Sequence, residues 1–255
     1  MKILLSPAKS INFEISVKKN EATIPQFIPE AEYLIGKLSK LSARQIGSLM
    51  KVSNDIAELN AERFKNWQLP FTSENSKPAA DIFTGMAYQG LDFPTLSADE
   101  REFGQKTLRI LSGLYGMLKP LDLIQPYRLE MGTSFKVTAK MKNLYLYWGD
   151  KIVDALNAEL LPNEPVVNLA SSEYFKAAKL SKIKTKVITP VFKDLNKKGE
   201  FKVVMTFAKK ARGLMSRFVL EHKIENEEGL KAFDLEGYYF CSEESSRDEW
   251  VFKRG

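Results

Sequence analysis

The sequence predicts an α+β protein: one mixed-sheet domain over residues 1–255, with a largely helical first half and strand–helix units in the second half. Three observations lead to this prediction. Helix start and stop signals recur up to about residue 161, and apparent strands followed by helices occupy the part after residue 165. The composition, with 44% hydrophobic and 27% charged residues, is that of a globular protein.

The amino terminus predicts a short buried strand over residues 1–5, ended by Ser6-Pro7. The few apolar residues before Pro7 do not form a secretory signal, and no run approaches the ~18 apolar residues of a membrane span. A single cysteine, Cys241, leaves no intramolecular disulfide and no multi-cysteine zinc site. We therefore expect a cytoplasmic protein with no membrane association, bound metal or cofactor.

Helix signals are regular between residues 29 and 67. Pro29 suits a first-turn position, Ser42 with Gln45 forms a capping box, and Ser53 suits a further cap. The polar, proline-bounded stretch 68–78 is the one plausible linker, and its shortness favours a single domain. Another capping box, Ser97 with Glu100, predicts a helix that runs to about residue 111.

The second half alternates strands with helices. A helix is expected over residues 145–161, and apparent strands follow at 166–169, 186–192 and 201–207. Helices that start at Ser172 and Ala208 follow the first and third of these strands.

Positive charge is concentrated in one part of the chain. The formal net charge is +6, but residues 176–217 hold thirteen Lys and Arg against Asp194 and Glu200, a local balance of +11 that leaves −5 elsewhere. This asymmetry indicates a region that faces a polyanion, although a solvated lysine surface gives the same count.

Residues 108–120 resemble a helix-hairpin-helix element, a predicted helix that meets two nearby glycines and restarts. Gly113 and Gly116 permit a tight turn whose N–H groups can point at a phosphate, and Arg109 and Lys119 carry matching positive charge. The glycine spacing departs from the usual Gly-x-Gly, and two helix ends without a ligand are the alternative interpretation.

The helix predicted from Ala208 is amphipathic. At 100° per residue one face carries Lys209, Lys210, Arg212 and Arg217 together with Gly213. A glycine in the middle of a helix costs about 1 kcal/mol relative to alanine, so close approach by a phosphate or another backbone is expected there. This face is the main predicted phosphate-binding surface.

Three smaller polar clusters complete the candidate sites. Ser171, Ser172 and Lys176 lie at a predicted helix start and suit either ordinary capping or an anion. Arg128 and Glu130 are two residues apart, and Lys9 follows the first strand.

Several kinds of chemistry are disfavoured. The one histidine, His222, is predicted on the apolar side of its helix, which argues against a Ser-His-Asp triad or a multi-histidine metal site. Cys241 stands in an apolar and acidic setting that discourages thiolate formation. No Walker phosphate loop or Gly-x-Gly-x-x-Gly fingerprint is present.

Several segments, in order along nearly the whole chain, resemble the YaaA-like peroxide stress family. They are SPAK at 6–9, RILSGLYGMLKPLDLIQPYRLEMG at 109–132, YWGD at 147–150, NLASSEYFK at 168–176, KKARGLMSRF at 209–218, EGY at 236–238 and VFKR at 251–254. The resemblance implies resistance to hydrogen peroxide through lowered free iron, and DNA binding by an unusual mixed α and β fold with a helix-hairpin-helix element and a positively charged cleft.

Three functions follow as hypotheses. The first is phosphate-directed, non-specific or structure-selective binding of duplex or structured DNA. The second is an enzyme on a small phosphorylated or nucleotide-like substrate, with Lys9, Arg128, Lys209, Lys210 and Arg212 as anion holders and Glu130 or Glu173 as acid or base. A weaker third is an iron-linked regulatory partner. No pattern in the sequence indicates an oligomeric state.

Overall fold

The centre of the protein is a mixed sheet of eight strands, in a computed structural model that describes residues 1–15 and 22–255. The strands, in chain order, are β1 Lys2–Leu5, β2 Ser10–Ile11, β3 Lys77–Pro78, β4 Phe83–Thr84, β5 Leu108–Ser112, β6 Gly116–Leu118, β7 Leu123–Ile124, β8 Val166–Leu169, β9 Val187–Leu195, β10 Phe201–Lys202, β11 Tyr239–Cys241 and β12 Glu249–Arg254. The central order is β11-β12-β9-β8-β1-β5-β6, with β10 paired to β9; β2–β4 and β3–β7 form two small separate pairs.

Helices pack against this sheet and are the longest elements of the first half. In chain order they are α1 Ile28–Leu38, α2 Ala43–Met50, α3 Asn54–Asn66, α4 Ala79–Ile82, α5 Met86–Leu91, α6 Ala98–Thr107, α7 Leu144–Trp148, α8 Lys151–Glu159, α9 Ser172–Ala177 and α10 Met205–Glu221. The predicted mixed α and β fold is therefore confirmed. Among the described residues, no helix is long and apolar enough to cross a membrane.

The connections place β1 at a reversal of strand order. β1 pairs in parallel with β5 on one side and with β8 on the other, so Ile3 faces both Leu108 and Val167. The chain leaves β1 for one half of the sheet and later crosses to the other half. Such a reversal leaves a crevice at the carboxyl ends of the parallel strands.

The helix starts predicted from capping residues in the first half are confirmed. In the capping box before α2, the Gln45 N–H donates to Ser42 Oγ at 3.3 Å and the Ser42 N–H donates to Gln45 Oε1 at 2.9 Å. The box of Ser97 and Glu100 opens α6 in the same way. Ser53 takes the predicted cap position of α3, although its hydroxyl makes no capping bond.

The expected helix-hairpin-helix at 108–120 is wrong. The helix ends at Thr107, and β5 and β6 form an antiparallel hairpin in which Ser112 faces Gly116. Ser112 Oγ accepts the N–H groups of Leu114 and Tyr115, at 3.2 and 2.9 Å, so these donors are already bonded inside the protein. All five residues of β5 are buried, and β5 pairs with β1 in the core. This pairing outweighs the local helix signals, so the segment forms a strand.

A tight helix–turn–helix does occur earlier, at α2–α3. Lys51 ends α2 in the left-handed conformation, with φ of 54°, and α3 starts only three residues later. Gly47 of α2 lies against Ala57 of α3, which allows the two helices to pack closely. The turn residues Lys51 and Ser53 are exposed.

Two boundaries in the second half differ from the prediction. The helix expected over 145–161 is interrupted at Gly149, whose φ of 53° and ψ of −118° end α7 before α8 begins. The strand expected over 201–207 is limited to β10, and α10 starts at Met205 rather than Ala208.

Gly213 allows a close contact between α10 and α5. The sequence analysis expected either a phosphate or another backbone at this glycine, and the structure shows a backbone. A Cβ atom on Gly213 would lie 1.7 Å from the carbonyl oxygen of Ala87, and one on Gly90 would lie 2.4 Å from that of Lys210. The two helices therefore touch backbone to backbone. This contact fixes α5 beside the first half of α10.

The stretch 68–78 is tied to the rest of the protein. Gln125 Nε2 donates to the Gln68 carbonyl at 2.6 Å, and the Trp67 indole donates to the Tyr115 hydroxyl at 2.9 Å. One cluster of buried apolar side chains includes residues from both sides of this stretch. A single domain over 1–255 stays a prediction.

Candidate functional site

A cleft of about 460 Å³ opens at the carboxyl ends of β1 and β8, beside the reversal of strand order. Its lining comes from four chain segments that are distant in sequence, together with Glu130. These are residues 5–10 after β1, residues 84–88 at the start of α5, Leu169 with residues 171–174, and one face of α10. Binding sites in open α/β sheets commonly occupy this position.

Hydrogen bonds around Ser6 hold the strand ends together. The Ser171 N–H donates to Ser6 Oγ at 2.9 Å, and the Tyr88 hydroxyl donates to the Ser6 carbonyl at 3.0 Å. Burial raises the pKa of Tyr88 well above its ordinary value, so this hydroxyl stays protonated and remains a donor. These hydrogen bonds therefore hold the residue after β1, the start of α9 and α5 together beside the cleft.

The α10 face toward the cleft carries Met205, Lys209 and Arg212, which share one side because they are four and three residues apart. Arg212 is half-buried, and this burial lowers the pKa of its guanidinium. No described residue forms a hydrogen bond or ion pair with that guanidinium. A desolvated cation without a counter-ion is unfavourable, so an anion in the cleft would stabilise it.

The other predicted cations of α10 have structural partners. Lys210 forms an ion pair with Glu236, and Arg217 Nε donates to Glu221 at 2.8 Å. Arg217 also donates to the carbonyls of Leu91 and Asp92 at 3.2 and 3.1 Å, which fastens α10 to the end of α5. The predicted basic face therefore divides into a cleft side and a packing side.

Glu130 is the negative group beside these cations. Lys9 Nζ lies 2.6 Å from one of its carboxylate oxygens, and Arg128 donates to the other at 3.0 Å. Burial opposes ionisation of Glu130, but the hydrogen bonds from Lys9 and Arg128 outweigh it and hold its pKa below the ordinary value. An ionised Glu130 accepts hydrogen bonds and cannot donate a proton at neutral pH.

The residues of the cluster predicted at Ser171, Ser172 and Lys176 divide in the same manner. Ser171 and Ser172 line the cleft, and Glu173 next to them accepts the Gly132 N–H at 2.7 Å. Lys176 lies outside the lining, exposed, with its Nζ 4.9 Å from the centre of the Tyr145 ring.

The residues predicted around 108–120 do not reach the cleft. Arg109 is buried and bonded to Glu159 at 2.6 Å, and it also donates to the carbonyls of Gln105 and Leu108. With Lys119 it lines a separate cavity of about 200 Å³. Gly113 and Gly116 are buried in the hairpin, so the phosphate site expected there is wrong.

Carboxylates pair with about half of the cations in the +11 segment. Seven of its thirteen cations form ion pairs: Lys179 and Lys182 with Asp150, Lys186 with Glu227, Lys193 with Glu244, Lys202 with Glu200, Lys210 with Glu236 and Arg217 with Glu221. The other six have no ion pair among the described residues, and of these Lys209 and Arg212 line the cleft.

The cleft wall formed by residues 84–88 was missed by the sequence analysis. Met86, Ala87 and Tyr88 carry no charged group, so residue type gave no functional signal. The available signal was geometric, since Gly90 and Gly213 permit the helix contact that brings this wall to α10.

Groups that suit thiol or metal chemistry lie elsewhere. Cys241 is buried in β11, and His222 Nδ1 lies 2.9 Å from the Phe218 carbonyl at the end of α10. In residues 1–15 and 22–255 there is no cluster of three or more His, Cys, Asp or Glu side chains that could hold a metal ion.

Comparison with known proteins finds one family over almost the whole chain. The family described as "Peroxide stress protein YaaA" matches residues 1–244. A UPF0246 protein of Aliivibrio fischeri is 50% identical over 256 residues, covering 100% of this chain and 98% of its own length. UPF0246 proteins of Shewanella woodyi and Ralstonia pickettii are 51% and 48% identical, each over 100% of this chain and 99% of their own length.

Proposed function

Because this chain belongs to the YaaA peroxide stress protein family, we propose that it acts in peroxide stress by binding DNA through phosphate contacts at the cleft. The observation that carries this proposal is the pair Lys209 and Arg212, two cations on one face of α10 that no described carboxylate neutralises. Phosphate oxygens are the counter-ions that such a pair suits, and Arg binds them in a bidentate manner.

The α2–α3 turn supplies a second phosphate contact in this proposal. The start of α3 has no side-chain cap, so its first N–H groups lie free at an exposed turn beside Lys51. This is the arrangement that the sequence analysis sought at 108–120. It supports the helix-hairpin-helix element that the family resemblance implies, at a different place in the chain.

Phosphate contacts by lysine, arginine and backbone N–H groups give affinity without reading bases. We therefore expect binding with little sequence preference and with a strong dependence on salt. Each phosphate contact contributes about 0.9 to the slope of log affinity against log salt.

The test compares two double variants of equal charge. Lys209→Gln with Arg212→Gln removes the cleft cations, whereas Lys197→Gln with Lys198→Gln removes two exposed cations from the turn between β9 and β10. In a duplex DNA titration at several salt concentrations, we expect the cleft variant to bind more weakly, with a slope reduced by about two. The control should bind like the wild type; equal losses in both variants would mean diffuse attraction without an organised site.

A second candidate is an enzyme that acts on a small phosphorylated or nucleotide-like substrate. The specific observation in its favour is the size of the cleft, which lies within the ~300–1,000 Å³ typical of small-molecule sites. In this case Glu173 is the better base, because Glu130 is already bound to Lys9 and Arg128.

A further inference from the structure

Part of the cleft lining is apolar. Pro7 and Ala8 after β1, Met86 and Ala87 of α5, and Met205 of α10 contribute it. Phosphate groups by themselves have no apolar surface to place against such a wall. The occupant therefore carries an apolar body as well as an anionic group.

The rim also offers hydrogen-bond acceptors to an occupant. Glu173 Oε1 accepts the Gly132 N–H at 2.7 Å, and among the described residues nothing donates to its Oε2. The Ser172 hydroxyl lies beside it in the lining. A carboxylate oxygen accepts hydrogen bonds, so an occupant that contacts Glu173 Oε2 gains from N–H or O–H donors.

The anionic group has one favoured position. Arg212 is the half-buried cation of the lining and Lys209 lies one turn before it on the same face of α10. Lys9 is already paired with Glu130. A phosphate at Arg212 therefore gains a desolvated, bidentate partner and leaves the apolar wall free for the rest of the molecule.

We infer that the cleft binds one nucleoside phosphate, with its phosphate on Arg212 and Lys209, its base against the apolar wall and its sugar or base donors on Glu173. This inference rests on the proposed phosphate site and adds the class of ligand. The same chemistry comes from a free mononucleotide or from one nucleotide of a nucleic acid, and the experiment separates these two sources.

The experiment is calorimetric titration of the full-length protein with adenosine 5′-monophosphate, adenosine and inorganic phosphate. We expect the monophosphate to bind at least tenfold more tightly than either part alone, because it uses both the cation and the wall. Arg212→Gln should weaken it by about tenfold or more, since a hydrogen-bonded ion pair is lost. Lys198→Gln removes the same charge from the β9–β10 turn and should have no effect.

A second pair of variants keeps the test informative if Arg212→Gln misfolds. Met205 is 64% exposed in the first turn of α10, where a carboxylate is favourable for the helix. Met205→Glu should fold and repel the phosphate, and it should weaken monophosphate binding more than Met205→Gln, which changes the same wall residue without adding a charge.

Competition with fluorescent duplex DNA identifies the source. Displacement of the duplex by the monophosphate supports a nucleotide of the nucleic acid in the cleft, and simultaneous binding supports a free nucleotide. No saturable binding at about 1 mM monophosphate, or binding unchanged by both Arg212→Gln and Met205→Glu, overturns the inference. DNA binding that depends on Lys209 and Arg212 would then still stand; monophosphate binding without any DNA binding would instead remove the proposed function.

Discussion

At the scale of single residues, the cleft contains two charged groups in different settings. One is the cation of Arg212, and the other is the carboxylate of Glu130, which lies between two cations. Within residues 1–15 and 22–255 no carboxylate pairs with Arg212, while Glu130 has two counter-ions in Lys9 and Arg128. These groups respond differently to substitution. We expect removal of Arg212 to weaken ligand binding and removal of the charge of Glu130 to lower the stability of the folded protein.

Glu130→Gln tests this difference through pH. The pKa of Glu130 is lowered in the folded state, so its charge stabilises the protein above the unfolded pKa of about 4.3. That contribution is lost as pH falls through the lower folded-state pKa. We expect the variant to be less stable than the wild type by up to about 1 kcal/mol at neutral pH, because solvent screens a half-exposed pair.

Urea denaturation at neutral and acidic pH measures this effect. The difference in unfolding free energy between wild type and variant should shrink toward acidic pH. A difference that is independent of pH would show that Glu130 contributes through packing and not through its charge.

At the scale of elements, the contact between α5 and α10 positions the cleft. α5 supplies Met86 and Ala87 to one wall, and α10 supplies Arg212 to the other. Their backbones touch at Gly90 and Gly213, where no side chain fits. Any group added there separates the two walls.

Gly213→Ala should therefore destabilise the protein and weaken ligand binding together. Its Cβ would lie 1.7 Å from the Ala87 carbonyl oxygen, and overpacking of this kind costs about 1–3 kcal/mol or more. Gly36→Ala in α1 is the matched control, because nothing lies within 4 Å of the added Cβ; it should stabilise the protein by about 0.5–1 kcal/mol. Thermal denaturation of both variants decides this, and a Gly213→Ala protein as stable as the wild type would contradict the helix contact.

Local sequence signals predicted the capped helix starts correctly. They did not predict which strands pair with one another across long stretches of sequence. The capping boxes at Ser42 and Ser97 gave correct helix starts because all their partners lie within one turn. Residues 108–112 looked like the end of a helix, yet they form β5 because their partner, β1, lies about a hundred positions earlier. The glycines that suggested a phosphate-binding turn instead form a buried β-hairpin.

At the scale of the whole molecule, β1 organises the site. Its parallel neighbours β5 and β8 come from different parts of the chain, and the reversal of strand order opens the crevice beyond its carboxyl end. Lys9, Glu130, Ser171 and Arg212 were singled out in the sequence for their chemistry, but only this topology brings them into one cleft. Their roles in binding remain predictions.

Which of the cations are paired with carboxylates also becomes visible only in the whole fold. Residues 176–217 carry an excess of +11, but ion pairs with carboxylates elsewhere in the chain offset part of it. Linear distance along the chain hides such pairing. The cations that matter in the proposal are those that the fold leaves unpaired beside a cavity.

Survival of peroxide-treated cells tests the central claim most directly, because it joins the cleft to the biological role of the family. A strain that lacks its own family member is given the wild type, the Lys209→Gln/Arg212→Gln variant or the Lys197→Gln/Lys198→Gln control at equal protein levels. We predict that the cleft variant fails to protect the cells, whereas the control protects them as the wild type does. Full protection by a folded cleft variant would contradict the account, since the protein would then act without the cations that define its site.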